Sequence, residues 1–422
     1  MKFKQLLIWG VLSFIISFLI SKIWFDPTMQ GFFNANYWRS LFRFGETLRI
    51  TNKQYVDENK SQYEVLTDNA ISGMITKLDR HSSYYKPDEY SSFKDDTHRR
   101  YVGIGVMIRK VEDGVLITRV FENGPAEESG LSMGDYIVKV EGIDIGSWDL
   151  PEVSTKIKGE EGTSVNITVR SRNNKLNDLL VSRRKITISS VEGVVVDQNH
   201  TGYLRLVQFT SRSGKECSDA IAKLLELGMK SLVLDLRDNS GGLLSAAVEI
   251  ADLFLPRDQL IVTIKGRDEN EIRNYRCHSV PVLPDLPVTV LMNEGSASAS
   301  EIVGGALSVL GRAKVVGEQS FGKGSVQTIF PTENQSGLRL TTAMYFLPDG
   351  STIHEQGVTP DILVECSDEN ESKLRIQRYS LDIMDSEEFK SQFDFAPIAD
   401  VQLLEAKKLL LIESDKKNVK NI

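Results

Sequence analysis

The chain has 422 residues, of which 41% are hydrophobic and 26% charged, so it has the composition of a globular protein with room for two or three domains. Its net charge of −8 argues against a nucleic-acid surface as the main binding site. The three cysteines, Cys217, Cys277 and Cys366, lie far apart without a metal-type spacing, and no metal or other cofactor is implied.

The first 25 residues differ in kind from the rest. Lys2 and Lys4 precede an apolar run that begins at Leu6 and ends at Ile20. A basic start followed by an apolar segment is typical of an export signal. No small-x-small cleavage site follows, so we expect residues 1–25 to be an uncleaved membrane anchor, with a removed signal as the alternative. The body of the chain is then expected outside the cytoplasm.

Residues 26–100 are predicted to be a helical region, with one helix from Tyr37 to Leu78, because apolar residues recur there at spacings of three and four. Residues 101–185 are predicted to be a separate unit of short strands with one helix over Leu150–Ile157. The turn that opens this unit can capture a terminal carboxylate, and the strand edge beside it can pair with an extended peptide. An ordinary tight turn is the plainer interpretation. The turn consists of Gly103, Ile104, Gly105 and Val106.

From residue 186 to 366, strands alternate with helices, which predicts an α/β or α+β layered domain. Residues 367–422 are charged and helical in pattern. We expect them to form a peripheral packing or dimerisation helix without a chemical role.

A serine stands where a buried strand, Val288–Met292, gives way to an amphipathic helix that begins at Ala299. Ser298 would lie at this strand-to-helix turn, near the amide-rich start of the helix. That position supplies an exposed hydroxyl and N–H donors for an oxyanion. The alternative is that Ser298 is merely an N-cap, but the small residues beside it would let a substrate backbone approach closely.

A lysine between two glycines follows 25 residues later. Lys323, flanked by Gly322 and Gly324, could serve as the general base for Ser298, since a desolvated lysine becomes a useful base and Ser–Lys pairs are a known variant of the serine triad. Gln327 could accept from the lysine and fix its direction. Taken singly, Lys323 would be a solvated loop residue and Gln327 a strand-edge polar group.

A glycine turn, Gly241-Gly242, follows the predicted strand that ends near Leu236. The N–H of Gly241 or Gly242 could complete an oxyanion hole with that of Ala299. Glycine turns can also bind phosphates, but neither the G-x-x-x-x-G-K-[ST] pattern nor the G-x-G-x-x-G pattern is present here. Glu301, on the first helical turn, is interpreted as a carboxylate that complements the helix dipole. None of the five histidines lies in a nucleophile–base context, which favours lysine as the base.

These motifs together resemble the C-terminal processing peptidases, the tail-specific serine proteases. The resemblance covers about residues 40–365. The four motifs that carry it are S-A-S-A-S-E at Ser296–Glu301, F-G-K-G-x-V-Q at Phe321–Gln327, D-L-R-x-N-x-G-G at Asp235–Gly242 and G-V-x-P-D at Gly357–Asp361.

The resemblance implies a serine endopeptidase with a discontinuous core of the ClpP/crotonase-like type. It also implies that residues 101–185 are an inserted PDZ domain, a partly open β-barrel with helices, that binds the free C-terminal tails of substrates. Lys158 stands where relatives often carry an arginine that is linked to gating of the active site by the PDZ domain. Because lysine lacks the forked donors of arginine, the resemblance does not decide whether Lys158 has this gating role. A bacterial cell-envelope location, a homodimer and an activating ligand or adaptor are further expectations.

Two other classes of protein remain to be weighed. A catalytically silent, PDZ-containing adaptor would bind peptides without cutting them, but the intact set of Ser298, Lys323 and Gln327 argues against it. An acyl-CoA enzyme of related layered fold would leave the apolar N-terminus and the PDZ-like unit unexplained.

Overall fold

The computed structural model describes residues 34–91, 102–111, 114–121, 123–171, 174–186, 189–268, 270–380, 386–393 and 395–420. The predicted anchor, residues 1–25, lies outside these ranges. In the described part of the chain, no helix combines the length and apolarity needed to cross a membrane. The chain divides into two compact units, Met1–Asp88 with Ile329–Leu340 and Glu89–Thr328 with Thr341–Ile422.

The first unit contains two helices where the sequence pattern predicted a single one. Helix α1 spans Ala35–Gln54 and helix α2 spans Tyr63–Thr76, with a 3₁₀ turn at Asn59–Ser61 between them. The Asp57 side chain accepts the backbone N–H groups of Asn59 and Lys60 at 3.1 and 3.3 Å. Aspartate binds nearby backbone donors in this way at turns, which interrupts the helix.

The first unit also holds a short strand pairing. Strand β1, Ser83–Tyr85, pairs antiparallel with residues 337–339. The Tyr85 hydroxyl accepts a hydrogen bond from Nη1 of Arg339 at 3.1 Å.

In the second unit, the segment predicted to be a PDZ domain has its own sheet and its own apolar core. Its main sheet has the strand order β3-β4-β5-β7-β8, with β6 paired to β5 and a separate β2–β9 pair. The helix predicted over Leu150–Ile157 is present with those bounds. The elements are β2 (Val102–Gly103), β3 (Val106–Val111), β4 (Gly114–Val120), α3 (Pro125–Glu128), β5 (Tyr136–Val140), β6 (Ile143–Asp144), α4 (Leu150–Ile157), β7 (Ser164–Arg170), β8 (Leu176–Ser182) and β9 (Arg184–Lys185).

The layered domain is built on a six-stranded sheet of order β10-β11-β12-β15-β16-β19. Strand β10 is antiparallel to β11, and the remaining neighbours are parallel. The central strands are wholly buried, as the apolar runs predicted. The elements up to this sheet's last strand are β10 (Val191–Val196), β11 (Thr201–Leu206), α5 (Ser213–Glu226), β12 (Ser231–Asp235), α6 (Leu244–Asp252), β13 (Leu260–Gly266), β14 (Ile272–Arg276), β15 (Val288–Met292), α7 (Ala299–Val309), β16 (Lys314–Gly317), β17 (Ser325–Pro331), β18 (Gly337–Phe346) and β19 (Ile362–Leu363).

Helices cover both faces of this sheet. The larger core contains apolar residues of α5, α6 and α7, and a smaller one joins the opposite face to the last helix. Strand β13 belongs to a separate sheet, in which it pairs antiparallel with β14 and with the end of β18. The parallel strands β12 and β15 end at one edge, which is where open α/β sheets place their ligands.

The C-terminal segment differs from the peripheral helix that we expected. It comprises α8 (Asp368–Ser380), α9 (Ser386–Phe393) and α10 (Val401–Lys420). Ala406 and Leu410 of α10 are fully buried against Val233, Leu291 and Val316 of the sheet. Because these contacts complete one face of the sheet, α10 is a structural layer of the domain.

Candidate active site

Ser298 lies in the turn that joins β15 to α7, as the sequence predicted. It is the N-cap residue of α7, half-buried, and its backbone has φ 56° and ψ −111°. A positive φ is strained for a residue with a Cβ, and such strain is often found at functional sites. The N–H of the preceding Ala297 donates to the carbonyl of Asn239 at 3.0 Å, which ties the serine turn to the glycine turn.

Glu301 connects the serine turn to the lysine loop, a role that the sequence analysis missed. Oε2 accepts the backbone N–H of Ser298 at 2.7 Å and that of Lys323 at 2.9 Å. Oε1 accepts the Ser320 hydroxyl at 2.6 Å and the N–H of Gly322 at 2.7 Å. The S-x-x-E spacing of a capping box signals the first of these contacts. The sequence holds no signal for the others, because their donors follow a complete helix and strand.

Burial raises the pKa of the Glu301 carboxyl, although the donors of Ser320, Gly322 and the two other backbone groups act in the opposite direction. The side chain is completely excluded from solvent. A buried carboxyl with four donors is best accounted for as an anchor that fixes two loops, since each unsatisfied buried donor would cost about 1–3 kcal/mol.

The lysine loop depends on its glycines. Gly322 has φ 86°, and a Cβ on Gly324 would lie 2.2 Å from the backbone nitrogen of His354. Lys323 between them is half-buried. Because the N–H groups of Ser298 and Lys323 share one carboxylate oxygen, the backbones of these two residues come together across 25 positions of sequence.

Gln327 lies near the start of β17, half-buried. Its Nε2 donates to the Ser325 hydroxyl at 2.8 Å and lies 3.5 Å from that of Thr341. These contacts fix the direction of the amide group and commit its nitrogen, so that Oε1 is the atom that could accept from another group.

The glycine turn after β12 packs directly against the serine. A Cβ on Gly241, which has φ 95°, would lie 2.6 Å from the Ala297 carbonyl oxygen and 2.9 Å from the Ser298 Cβ. The Gly241 N–H donates to Oδ1 of Asn239 at 2.9 Å. Gly242 is exposed, whereas Gly241 is buried. The structure therefore brings Gly241 against the serine turn and commits its N–H to a protein acceptor, whereas Gly242 packs against the backbone of Phe209.

The predicted peptide-binding turn borders an apolar groove. Strand β3 is the edge strand of its sheet, and α4 faces it across the groove. The carbonyl oxygen of Ile104 accepts the backbone N–H of Ala126, and that of Gly105 accepts the backbone N–H of Phe121. Both carbonyl groups of the turn are therefore already bonded within the protein. The groove is lined by Gly103, Ile104, Gly105, Val106, Met107, Ile108, Phe121, Ser154, Ile157, Lys158 and others.

An ion pair joins the PDZ-like region to the layered domain. Arg119 of β4 contacts Glu192 of β10 at 2.5 Å, and Glu192 also lies 3.5 Å from Arg205 of β11. The Arg119 guanidinium lies 5.5 Å from the centre of the Phe121 ring, which lines the groove. Within the described ranges, no cluster of three or more metal-ligating side chains is found.

Comparisons with known proteins agree with this architecture. The model of peptidase family S41 matches residues 200–364, and a PDZ domain model matches residues 116–171. The carboxy-terminal-processing protease of Bartonella bacilliformis is 37% identical over 335 residues, which are 78% of this chain and 76% of that protein. A probable CtpA-like serine protease of Staphylococcus aureus is 33% identical over 366 residues, which are 86% of this chain and 72% of that protein.

A solved structure, the photosystem II D1 C-terminal processing protease, is 30% identical, with 76% of this chain and 92% of that chain covered and a TM-score of 0.46. The sequence matches place the chain among the serine proteases that carry a PDZ domain. Within that class it belongs to peptidase family S41, as a member of the carboxy-terminal-processing proteases.

Proposed function

We propose that the protease acts through Ser298 as nucleophile and Lys323 as general base. Uncharged Lys323 takes the Ser298 proton as the hydroxyl attacks a peptide carbonyl, and it returns that proton to the amine that leaves as the peptide C–N bond breaks. Water then hydrolyses the ester of the acyl-enzyme and frees Ser298. The observation that carries this proposal is the Glu301 carboxylate, which accepts the backbone N–H groups of both residues on one oxygen. Gln327 orients the lysine through its amide oxygen.

The oxyanion of the tetrahedral intermediate is bound by the N–H groups of Ala299 and Gly242. Ala299 is the first residue of α7, where N–H groups have no acceptor within the helix. Gly242 is favoured over Gly241 because the latter already donates to Asn239. A hole of this kind contributes about 2.7–4 kcal/mol per donor to catalysis.

Substrates are proteins with free C-terminal tails that add as a strand to the edge of β3. The turn from Gly103 to Val106 is proposed to bind the terminal carboxylate, and the apolar groove the last side chain. Lys158, at the end of α4, lines the same groove and could take part in gating. We also propose that the groove and the core are coupled, which the Arg119–Glu192 ion pair between them supports. An activating ligand or adaptor would act on the protease through this coupling.

The proposed organisation is an anchor over residues 1–25, a helical region over 26–100, a PDZ domain over 101–185, a ClpP/crotonase-like core over 186–366 and a tail over 367–422. The basic and apolar N-terminus supports anchoring in a bacterial cell envelope with the protease in the periplasm or another extracytoplasmic space. A homodimer is proposed through α1, none of whose residues is buried.

The decisive test is cleavage of an unfolded model protein by the purified chain, beside the variants Ser298→Ala and Lys323→Ala. We expect the wild type to cut and both variants to be inert while they remain folded by circular dichroism. Cleavage by Lys323→Ala at the wild-type rate would exclude the proposed base. An inert wild type that still binds tail peptides would favour the adaptor.

A further inference from the structure

The C-terminal segment reaches the two turns that carry the proposed nucleophile and oxyanion donors. Arg378 of α8 donates from Nη1 to Oδ2 of Asp238 at 2.8 Å. Asp238 stands in the glycine turn, three residues before Gly241. The same guanidinium binds both oxygens of Glu371, each at 2.9 Å. The Arg378 side chain is only 5% exposed, so this is a buried, forked arginine–carboxylate arrangement of the stronger kind.

Asn293 links the same carboxylates to the serine turn. Its Oδ1 accepts the N–H of Asp238 at 2.9 Å and that of Gly295 at 3.1 Å. Its Nδ2 lies 3.2 Å from Oδ1 of Asp238 and 3.3 Å from Oε1 of Glu371. One buried amide therefore joins the glycine turn, the serine turn and helix α8.

A second contact runs from the start of α10 and the residue before it to the start of the glycine turn. Arg237 is completely buried, and its Nη1 donates to Oδ1 of Asp400 at 2.9 Å and to Oε1 of Gln402 at 3.1 Å. Asp400 also lies 3.9 Å from Nε of Arg378. Both arginines thus bridge the region of the glycine turn and the C-terminal segment, although the buried Nε of Arg378 has no hydrogen-bond partner among the described residues.

The backbone of the glycine turn needs such support. Asp238 has φ 59°, a conformation that costs free energy for a residue with a side chain and persists only when its surroundings hold it. Without Arg378, a carboxylate that is only 10% exposed would lose its buried partner. Arg375 also contacts Asp238, at 3.0 Å, but is 52% exposed and would compensate little.

We propose that Arg378 is a positioning residue for catalysis: through Asp238 and Asn293 it holds the glycine turn against the serine turn. The C-terminal segment is therefore part of the active-site assembly as well as a layer of the fold. This inference rests on the proposed function, because it assigns a role to the geometry around Ser298 and Gly242. Misplacing a reacting group by about 1 Å can cost a hundredfold in rate.

The test compares Arg378→Gln and Arg378→Lys with Lys373→Gln in the full chain. Lys373 lies on the same helix and pairs with Glu369 instead of with either turn. For each protein, kcat and KM are measured on a tail peptide, and kcat is divided by the fraction of Ser298 that a fluorophosphonate titrates. Melting temperature and peptide affinity of the groove are measured in parallel.

We expect Arg378→Gln to lower kcat per titrated site by roughly tenfold or more, with KM and groove affinity changed less than about threefold. Lys373→Gln should stay within about twofold of wild type. If Arg378→Gln does not fold, Arg378→Lys decides, since lysine keeps the charge but cannot donate to both carboxylates in a fork. Wild-type kcat per titrated site in the folded Arg378 variants, whatever their melting temperature, would overturn the proposal.

A second measurement tests whether Arg378 acts through Asp238. In the double variant Arg378→Gln with Asp238→Asn, the unpaired buried charge is gone, and asparagine tolerates the positive φ. We expect the kcat of the double variant to be higher than the value obtained by multiplying the fold-losses of the two single variants. Strict additivity would contradict the proposal. If Ser298→Ala is inactive but the Arg378 variants have the kcat of the wild type, only this inference is refuted. If Ser298→Ala is active, the proposed function itself is refuted.

Discussion

The carboxylate of Glu301 accepts the backbone N–H of Lys323 at 2.9 Å, on the oxygen that also accepts the N–H of Ser298. A residue on the first turn of α7 thus determines where the loop of the proposed base lies. The interaction is insulated from solvent because Glu301 is fully buried. The geometry of nucleophile and base therefore depends on a residue that need not touch the substrate.

Replacing Glu301 by glutamine should reduce catalysis strongly. Both oxygens of Glu301 accept hydrogen bonds, whereas an amide would direct its own N–H groups at two of the four donors. We expect kcat to fall roughly tenfold to a hundredfold because the two loops shift. Peptide hydrolysis per titrated serine measures this change. Glu294→Gln, an exposed carboxylate in the same turn, is the matched control, and equal activity of both variants would contradict the prediction.

Replacing Gly241 by alanine should abolish cleavage. The added Cβ would lie 2.6 Å from the Ala297 carbonyl oxygen and 2.9 Å from the backbone nitrogen of Ala299. Because both are backbone atoms beside Ser298, the turn must move. The control is Gly350→Ala, which has a similar φ of 85° but no atom within 4 Å of the new Cβ.

We expect Gly350→Ala to lose about 1–2 kcal/mol of stability, the cost of a side chain at positive φ, while it keeps its activity. The readouts are the rate of Ser298 labelling and the free energy of unfolding. Normal labelling of Gly241→Ala would show that the close approach in this turn does not matter for the nucleophile.

Replacing Asp235 by asparagine should destabilise the chain in a pH-dependent way. Asp235 and Arg237 are both fully buried and lie 2.6 Å apart. Burial alone would raise the pKa of Asp235, but Arg237 holds that pKa well below its usual range. Removing one partner of such a pair costs about 3–5 kcal/mol at neutral pH.

The sign of the pH dependence follows from the lowered pKa of Asp235. Its stabilising contribution is fully present above the ordinary carboxyl pKa of about 4 and is lost as the pH falls through the lower folded value. Urea unfolding of wild type and Asp235→Asn should therefore show a difference in free energy that is largest near pH 7 and shrinks below about pH 4. A difference that grows on acidification would be incompatible with this assignment.

The groove beside β3 should require a free carboxylate on its ligand. We expect a peptide with an apolar last residue to bind Ser298→Ala at least tenfold more tightly as the acid than as the C-terminal amide, since hydrogen bonds to a charged group contribute about 1.5–3 kcal/mol. Fluorescence anisotropy with the labelled peptide pair measures this ratio. Equal affinities would mean that the turn from Gly103 to Val106 does not bind the carboxylate.

Much of the local structure followed from sequence alone. The helix over Leu150–Ile157 has the predicted bounds, because Asp149 caps it and Pro151 fits its first turn. The buried strand Val288–Met292 and the helix from Ala299 were predicted from apolar runs and periodicity. By contrast, the break between α1 and α2 was missed because the spacing of apolar residues hid the turn at Asp57.

The sequence by itself determined the order of the elements, the serine between strand and helix, and the lysine between two glycines, because these depend on local spacing and backbone freedom. Only the tertiary structure decided that Glu301 joins Ser298 to Lys323 and that Arg378 braces Asp238. These contacts link residues 22 and 140 positions apart. Such pairings depend on how the layers pack, and no local pattern in the chain encodes them.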